Sequence, residues 1–351
     1  MDSNNAFAHF ESASGAHIWR LPVEAFPNLW AGVYLVQTGD MLTLIDSGSG
    51  AEKSNADLEA GIIRTGHKFS DLTHILLTHG HIDHYGGLPY LRERTQAQIG
   101  LHELDLQTVS HHEQRLAVMS RRLDNFLASA GISAGRRAEL LRMYYFTKAL
   151  YRSVSVDFTY EACGMKVGPF EMVHAPGHCP GHVAIKLDDI VFSGDLVLER
   201  ITPHQSPEEL SPFMGVRHYL ESLSILGAWA QGSRLALNGH DEPITELPAR
   251  IASTRQHLSR RVQQVLDALS EPRTLAEVTE QVYGSIGGYN ALLVIEKVGA
   301  YVEYLYQRGL IEITNLDELE SGNPSVPIRY RCLYAVKDLE ILPKERAYVF
   351  V

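Results

Sequence analysis

The stretch His74-Ile75-Leu76-Leu77-Thr78-His79-Gly80-His81-Ile82-Asp83-His84-Tyr85-Gly86-Gly87 settles how this chain is read. Its first half is apolar and β-prone, the pattern of a buried strand. Its second half sets three histidines and an aspartate within six residues, between that strand and a pair of glycines. A tight loop at a strand end points such side chains at one small volume. Neutral imidazole and carboxylate suit divalent first-row metals, zinc in particular. The bland alternative, a polar surface loop, explains the spacing less well.

Elsewhere in the chain, three more segments place a histidine or an aspartate beside a glycine at a strand end. They are Pro176-Gly177-His178-Cys179-Pro180-Gly181-His182, Phe192-Ser193-Gly194-Asp195 and Asn238-Gly239-His240. Upstream, β-rich runs at 33–36 and 42–45 flank the turn Thr38-Gly39-Asp40, and the second run ends at Asp46-Ser47-Gly48. A helix is predicted over about 51–65 and a strand over 97–101. Further strands are predicted at 158–160, 170–174, 183–185 and 190–192, a helix near 216–231 and a strand at 235–238. Between about 103 and 152 the pattern turns helical. Leu116, Met119, Leu123, Phe126 and Leu127 recur at spacings of three and four, and Leu140, Leu141, Tyr144 and Tyr145 form a second apolar face. Beyond Pro248, helices are predicted to about 269, at 275–283 and at 291–308. Strand-like runs at 311–313 and 329–333 follow, the outline of a winged helix.

In order, the pattern H-x-H-x-D-H, H, D, H resembles the metallo-β-lactamase superfamily, specifically its glyoxalase II-like (hydroxyacylglutathione hydrolase-like) branch, over roughly residues 15–245. The resemblance implies an α/β four-layer αββα sandwich for 1–248, carrying the helical insert at about 103–152. A small winged-helix-like α+β domain is expected over 249–351. By motif position, His79, His81 and His178 would hold one metal, and Asp83, His84 and His240 a second. Asp195 would bridge the two, and Asp46 would orient a ligand. Two divalent ions are therefore expected, zinc first, with iron or manganese as alternatives. Asp83 and Asp195 are the expected catalytic residues. Aspartate rather than cysteine at position 195 favours the glyoxalase-like branch over zinc β-lactamases.

The expected chemistry is hydrolysis: a hydroxide bridging two metals attacks a thioester, ester or lactone carbonyl of a small acyl substrate. The alternative is a metal-dependent endoribonuclease or phosphodiesterase of the same fold. A small-molecule-binding regulator that reads DNA through its tail is a third reading, disfavoured by the complete ligand set. Persulfide dioxygenases, with one iron, and flavo-diiron proteins, with a flavodoxin domain, fit less well.

Composition bounds these readings. The chain has 351 residues, is 45% hydrophobic and 21% charged, and carries a net charge of −11. It is long enough for two domains of ordinary core size. Its acidity disfavours broad nucleic-acid binding. From Glu246 onward 12 basic residues face 14 acidic ones, so the tail is expected to support the fold or to join a homodimer. Three cysteines, Cys163, Cys179 and Cys332, fit a reducing compartment. With no signal-like start and no apolar run near 20 residues, no membrane partner and a cytoplasmic location are expected.

Other residues carry weaker signals. Tyr85, Tyr144, Tyr145 and Tyr151 are candidates to steady an oxyanion, although packing explains each at least as well. His182 reads as structural, Cys179 as a small side chain filling a tight loop, and His74 and His174 as hydrogen-bonded strand residues. His111 and His112 read as an exposed helix face. Arg200 and His204 are candidate substrate contacts. Met119, Phe126, Met143, Tyr144 and Phe146 would suit an acyl chain, or plain helix packing.

Overall fold

The computed structural model describes residues 6–323, 326–334 and Leu339. Seven strands build one sheet in chain order: β1 (Ala8–Glu11), β2 (His17–Phe26), β3 (Leu29–Thr38), β4 (Met41–Ile45), β5 (His74–Leu76), β6 (Gln98–Leu101) and β7 (Phe158–Thr159). The first four are antiparallel, and β4 to β7 run parallel. Two-residue loops join β2 to β3 and β3 to β4. Asn28 and Gly39 take φ values of 64° and 56° there, which let the chain reverse. A second sheet runs β12-β11-β10-β9-β8, from β8 (Lys166–Val167), β9 (Phe170–His174), β10 (Val183–Leu187), β11 (Ile190–Gly194) and β12 (Leu235–Asn238).

Side chains alternate across each strand, so each sheet buries two faces. Tyr34, Val36, Ile45 and Leu76 of the first sheet meet Ile185, Ile190, Phe192 and Leu237 of the second in one core. The opposite face of the first sheet, with Val33, Leu35 and Leu44, packs on α1 (Glu52–Arg64), α2 (Ile82–Tyr85) and α3 (Leu88–Arg92). The opposite face of the second sheet, with Ala184, Val191 and Ala236, packs on α7 (Val216–Trp229). The layers are therefore helix, sheet, sheet, helix.

The segment between β6 and β7 forms α4 (Glu103–Ser110), α5 (His112–Ser129) and α6 (Ala134–Lys148). After β12 come α8 (Leu247–Ala268), α9 (Leu275–Tyr283) and α10 (Gly288–Gln307). A three-stranded sheet, ordered β13-β15-β14, is built from β13 (Arg273–Thr274), β14 (Ile311–Ile313) and β15 (Arg329–Cys332), with the short α11 (Leu316–Leu319) beside it. Phe126 of α5, Tyr219 of α7, Leu258 of α8 and Val298 of α10 share one buried cluster. The insert and the C-terminal helices thus close over the same side of the sandwich. The tight approach of α10 to α5 uses Gly299, where a Cβ would lie 2.8 Å from the Phe126 ring.

The sequence pattern misses β1, β2, β8 and β13. Arg20, Pro22 and Glu24 interrupt the apolar run of β2, yet Arg20 is only 2% exposed. Its guanidinium donates to the Asp241 carbonyl at 2.9 Å and lies 3.6 Å from Glu242, so partners distant in sequence make its burial tolerable. α10 starts at Gly288 rather than 291, and α1 spans 52–64 rather than 51–65.

The loop after β4 runs against the loop after β5. Ser47 N donates to the His84 carbonyl at 2.7 Å, and Gly87 N donates to the Gly48 carbonyl at 3.1 Å. At Gly50, with φ +76°, an added Cβ would overlap the Gly86 carbonyl. Gly50→Ala is expected to lower unfolding free energy by about 2–4 kcal/mol, from overpacking plus backbone strain. Urea denaturation of the two proteins measures this as a shift in midpoint at constant slope.

Candidate metal centre

The seven side chains singled out by pattern come from four strand ends and converge on one volume. His79, His81 and His178 place ligand atoms within 4.8 Å of one another, as do His79, His84 and Asp195, and as do Asp83, His84 and His240. Asp195 faces both groups. One of its oxygens lies 3.5 Å from His178 Nε2 and 3.0 Å from His240 Nε2, and the other lies 3.5 Å from His84 Nε2. Asp83 Oδ2 is 3.5 Å from His240 Nε2.

Each of these imidazoles with an outer partner is oriented through its other nitrogen. His84 Nδ1 meets Asp46 Oδ2 at 2.9 Å, His178 Nδ1 the His204 carbonyl at 2.8 Å, and His240 Nδ1 the Trp30 carbonyl at 2.7 Å. His79 Nδ1 lies 3.0 Å from Thr78 Oγ1, whose hydroxyl is within 2.8 Å of Asp46 Oδ2. Asp46, at φ 62°, also accepts from Thr78 N at 2.8 Å, which ties the ends of β4 and β5 together. Such partners on the far nitrogen select the tautomer that leaves Nε2 facing the centre.

That inward set fits divalent cations. His84 Nε2, His178 Nε2 and Asp195 Oδ1 are buried with no hydrogen-bond partner among the described residues. Orphaned buried polar atoms are costly, and a cation between them would satisfy all three. Burial lowers His79 and His81 well below the ordinary imidazole range and His178 to about 4, so these three present neutral nitrogens. Burial alone would raise Asp195, but His240 and His84 hold it well below the usual carboxylate range. Burial likewise opposes charge on His240, yet the adjacent Asp195 lifts it to about 9.

Asp105, at the start of α4, escaped the sequence reading. It is fully buried and accepts from Gly80 N at 2.7 Å, Gly181 N at 2.9 Å and Cys179 Sγ at 3.2 Å. It therefore fastens the loop of His79 and His81 to the loop of His178. A Cβ on Gly181 would lie 2.6 Å from its Cγ, which is why a glycine stands there. The only signal in the sequence was an acidic residue within a helix otherwise read as insert.

A cavity of about 710 Å³ opens above the centre, lined by His81, Asp83, His178, Asp195 and His240 and walled by α5, α6, α10 and the segment after β11. Tyr85 and Tyr144 line it, whereas Tyr145 and Phe146 are 55% and 74% exposed and point away. Tyr151 packs edge-on to His112. His112 corrects the expected exposed face: it is 5% exposed, bonded to Tyr85 Oη at 2.7 Å and to the Lys148 carbonyl at 2.8 Å. The helix turns it inward because α5 begins at that residue, while His111 beside it is exposed. Arg200 lines the mouth. His204 also lines the cavity, but its ring meets Glu296 and Ser206, both at 3.0 Å. His182 Nε2 accepts from Asp195 N at 3.1 Å, a supporting position. His74 bonds Thr73, and His174 stacks on His102 and bonds the Pro180 carbonyl.

Comparison with known proteins places this geometry. The model of the Metallo-beta-lactamase superfamily matches residues 33–264. The chain is 25% identical over 291 residues to the "Probable metallo-hydrolase YqjP" of Bacillus subtilis, covering 78% of this chain and 86% of that one. It is 26% identical over 274 residues to an "Atrochrysone carboxyl ACP thioesterase" of Aspergillus fumigatus, covering 72% of this chain and 68% of that one. Among solved structures, the metallo-beta-lactamase family protein TTHA1429 of Thermus thermophilus superposes with a TM-score of 0.69 at 23% identity, covering 90% of this chain and 98% of that one. With its helix–sheet–sheet–helix layers and its histidine and aspartate groups able to bind metal, the chain belongs to the metallo-β-lactamase superfamily and is a metal-dependent hydrolase of that fold.

Proposed function

We propose that this protein hydrolyses the carbonyl of a small acyl compound, a thioester, ester or lactone, in the manner of the glyoxalase II-like branch. The observation that carries the reading is Asp195, a buried carboxylate facing two separate histidine groups with one oxygen unpartnered. In this reading His79, His81 and His178 would hold one ion, Asp83, His84 and His240 would hold the other, and Asp195 would serve both. Two divalent ions, zinc being the first expectation, would supply a hydroxide at working pH and polarise the carbonyl oxygen. Asp83 and Asp195 are the proposed catalytic carboxylates: they line the cavity, and Asp83, with its side chain 15% exposed, is the more open of the two, where a proton would be exchanged. The similarity to proteins named as acyl-carrier thioesterases supports a carbonyl substrate. The half-apolar cavity wall, with Leu116, Met119 and Leu210, supports an acyl body.

We also divide the chain into a catalytic unit, 1–248, and a winged-helix-like unit, 249–351; the order α8, β13, α9, α10, β14, β15 among its described residues supports this division. α10 supplies Tyr289, Leu293 and Glu296 to the cavity wall. Glu296 accepts from Ser206 Oγ at 2.7 Å and meets His204, whose carbonyl orients His178. These contacts support a tail that braces the centre rather than one that reads nucleic acid. No helix among the described residues is long and apolar enough to cross a membrane.

An acyl thioester, an acyl lactone and a short single-stranded RNA, each offered to the metal-loaded protein, test the reading. Turnover of a carbonyl substrate is expected, reduced about a hundredfold or more in Asp83→Ala. RNA cleavage with both carbonyl substrates untouched would replace it by the phosphodiesterase alternative. Elemental analysis should find two divalent ions per chain. His81→Ala should lose metal while keeping its far-UV circular dichroism, and global unfolding of that variant would make the metal structural instead. Asp105→Asn, which weakens the tie between two ligand loops, should lower metal affinity by about 10–100-fold in a competitive chelator titration.

A further inference from the structure

The cavity holds a positive charge that the proposed chemistry does not use. Lys148 closes α6 and lines the cavity beside the centre. Its backbone carbonyl is fixed by His112, which is fixed in turn by Tyr85, so the point where the side chain emerges is set. The side chain shares the cavity with His81, Asp83 and Glu296. Neither carboxylate pairs with it. Glu296 is engaged by Ser206 and His204, and Asp83 faces His84 and His240. Among the described residues the Lys148 ammonium makes no hydrogen bond and no ion pair. Arg115 and Arg200 line the same cavity, and Arg115 donates to the neutral Ser211 hydroxyl at 3.0 Å.

Several other cations of this acidic chain pair with carboxylates: Arg92 with Asp157, Arg137 with Asp124, Arg331 with Glu312. A cation without an ion-pair partner in a half-apolar cavity is costly, and the cost grows when a substrate displaces the water around it. A neutral acyl compound would impose that loss. An anionic one would remove it and be drawn inward by the same field.

We propose that Lys148 is an anion-recognition residue and that the substrate is an acyl compound carrying a carboxylate or phosphate group. This rests on the hydrolase reading above. The anion pairs with Lys148, the apolar body lies along Leu116, Met119 and Leu210, and the carbonyl faces Asp83 and Asp195. The anion has two possible sources, a carboxylate on the acyl part or a phosphate on the leaving group.

The experiment compares three thioesters on the metal-loaded full chain: acetyl with a neutral leaving group, succinyl with a neutral leaving group, and acetyl with a phosphate-bearing leaving group. At least one anionic substrate should exceed the neutral one in kcat/KM by about tenfold or more, the gain expected of a charged hydrogen bond. The preferred one identifies the source of the anion. Lys148→Met should bring the preference close to parity, and Lys148→Arg should keep it. Should Lys148→Met not fold, Lys148→Gln makes the same comparison. A wild type without preference, or a preference unchanged in the neutral variants, overturns the inference and leaves the hydrolase reading standing. If the wild type cleaves none of the three, the thioester form of the hydrolase reading fails. Calorimetric titration with the two anionic thioether analogues then decides the inference: about tenfold weaker binding in Lys148→Met supports it, and equal binding overturns it.

Discussion

Five imidazoles and two carboxylates gathered in one small volume, most of them buried, impose a condition that every other part of this fold serves. Each polar atom withdrawn from water must find a partner, and partners that face inward would consume the atoms a metal needs. The structure resolves this by turning the outer nitrogen of His84, His178 and His240 onto a carboxylate or a backbone carbonyl. What remains unpartnered inside, His84 Nε2, His178 Nε2 and Asp195 Oδ1, is what a cation could satisfy. The strand ends, the glycine contacts and the two sheets bring those outer partners to fixed positions.

Two carboxylates outside the donor set hold the frame. Asp46 joins β4 to β5 and to His84. Asp105 joins the loop of His79 and His81 to the loop of His178, and its buried position is supported by two backbone amides and a thiol. A third carboxylate, Glu296, arrives from α10 and braces the segment whose carbonyl orients His178. The C-terminal helices are thereby part of the cavity rather than an appendage. Their shared buried cluster with α5 and α7 gives the physical reason, since exposing either face would return a large apolar surface to water.

Much of the site was legible because its residues are chemically unusual where they stand. Histidines two and five positions beyond His79, after an apolar strand, are a pattern that packing alone does not produce. The same holds for glycine-flanked histidine or aspartate at three later strand ends. The apolar runs of β10, β11 and β12 were legible because they are local. β2 was not, because Arg20, Pro22 and Glu24 look polar until Asp241 and Glu242 are seen beside Arg20. His112 was misread because helical spacing does not say which face meets a neighbour.

Consecutive residues were enough to place the strands that end in histidine or aspartate, and the motifs they form carry the family resemblance that implies the class of fold and the candidate donors. Those motifs are written locally, in short-range periodicity and residue chemistry. Three features emerged only once the chain was folded: which nitrogen of each histidine faces inward, how Asp105 reaches a loop 76 positions further along the chain, and how α6 and α10 wall one cavity with Lys148 inside it. These depend on where residues far apart in the chain meet. That is settled by the summed burial of two sheets and their helices, which no local pattern encodes.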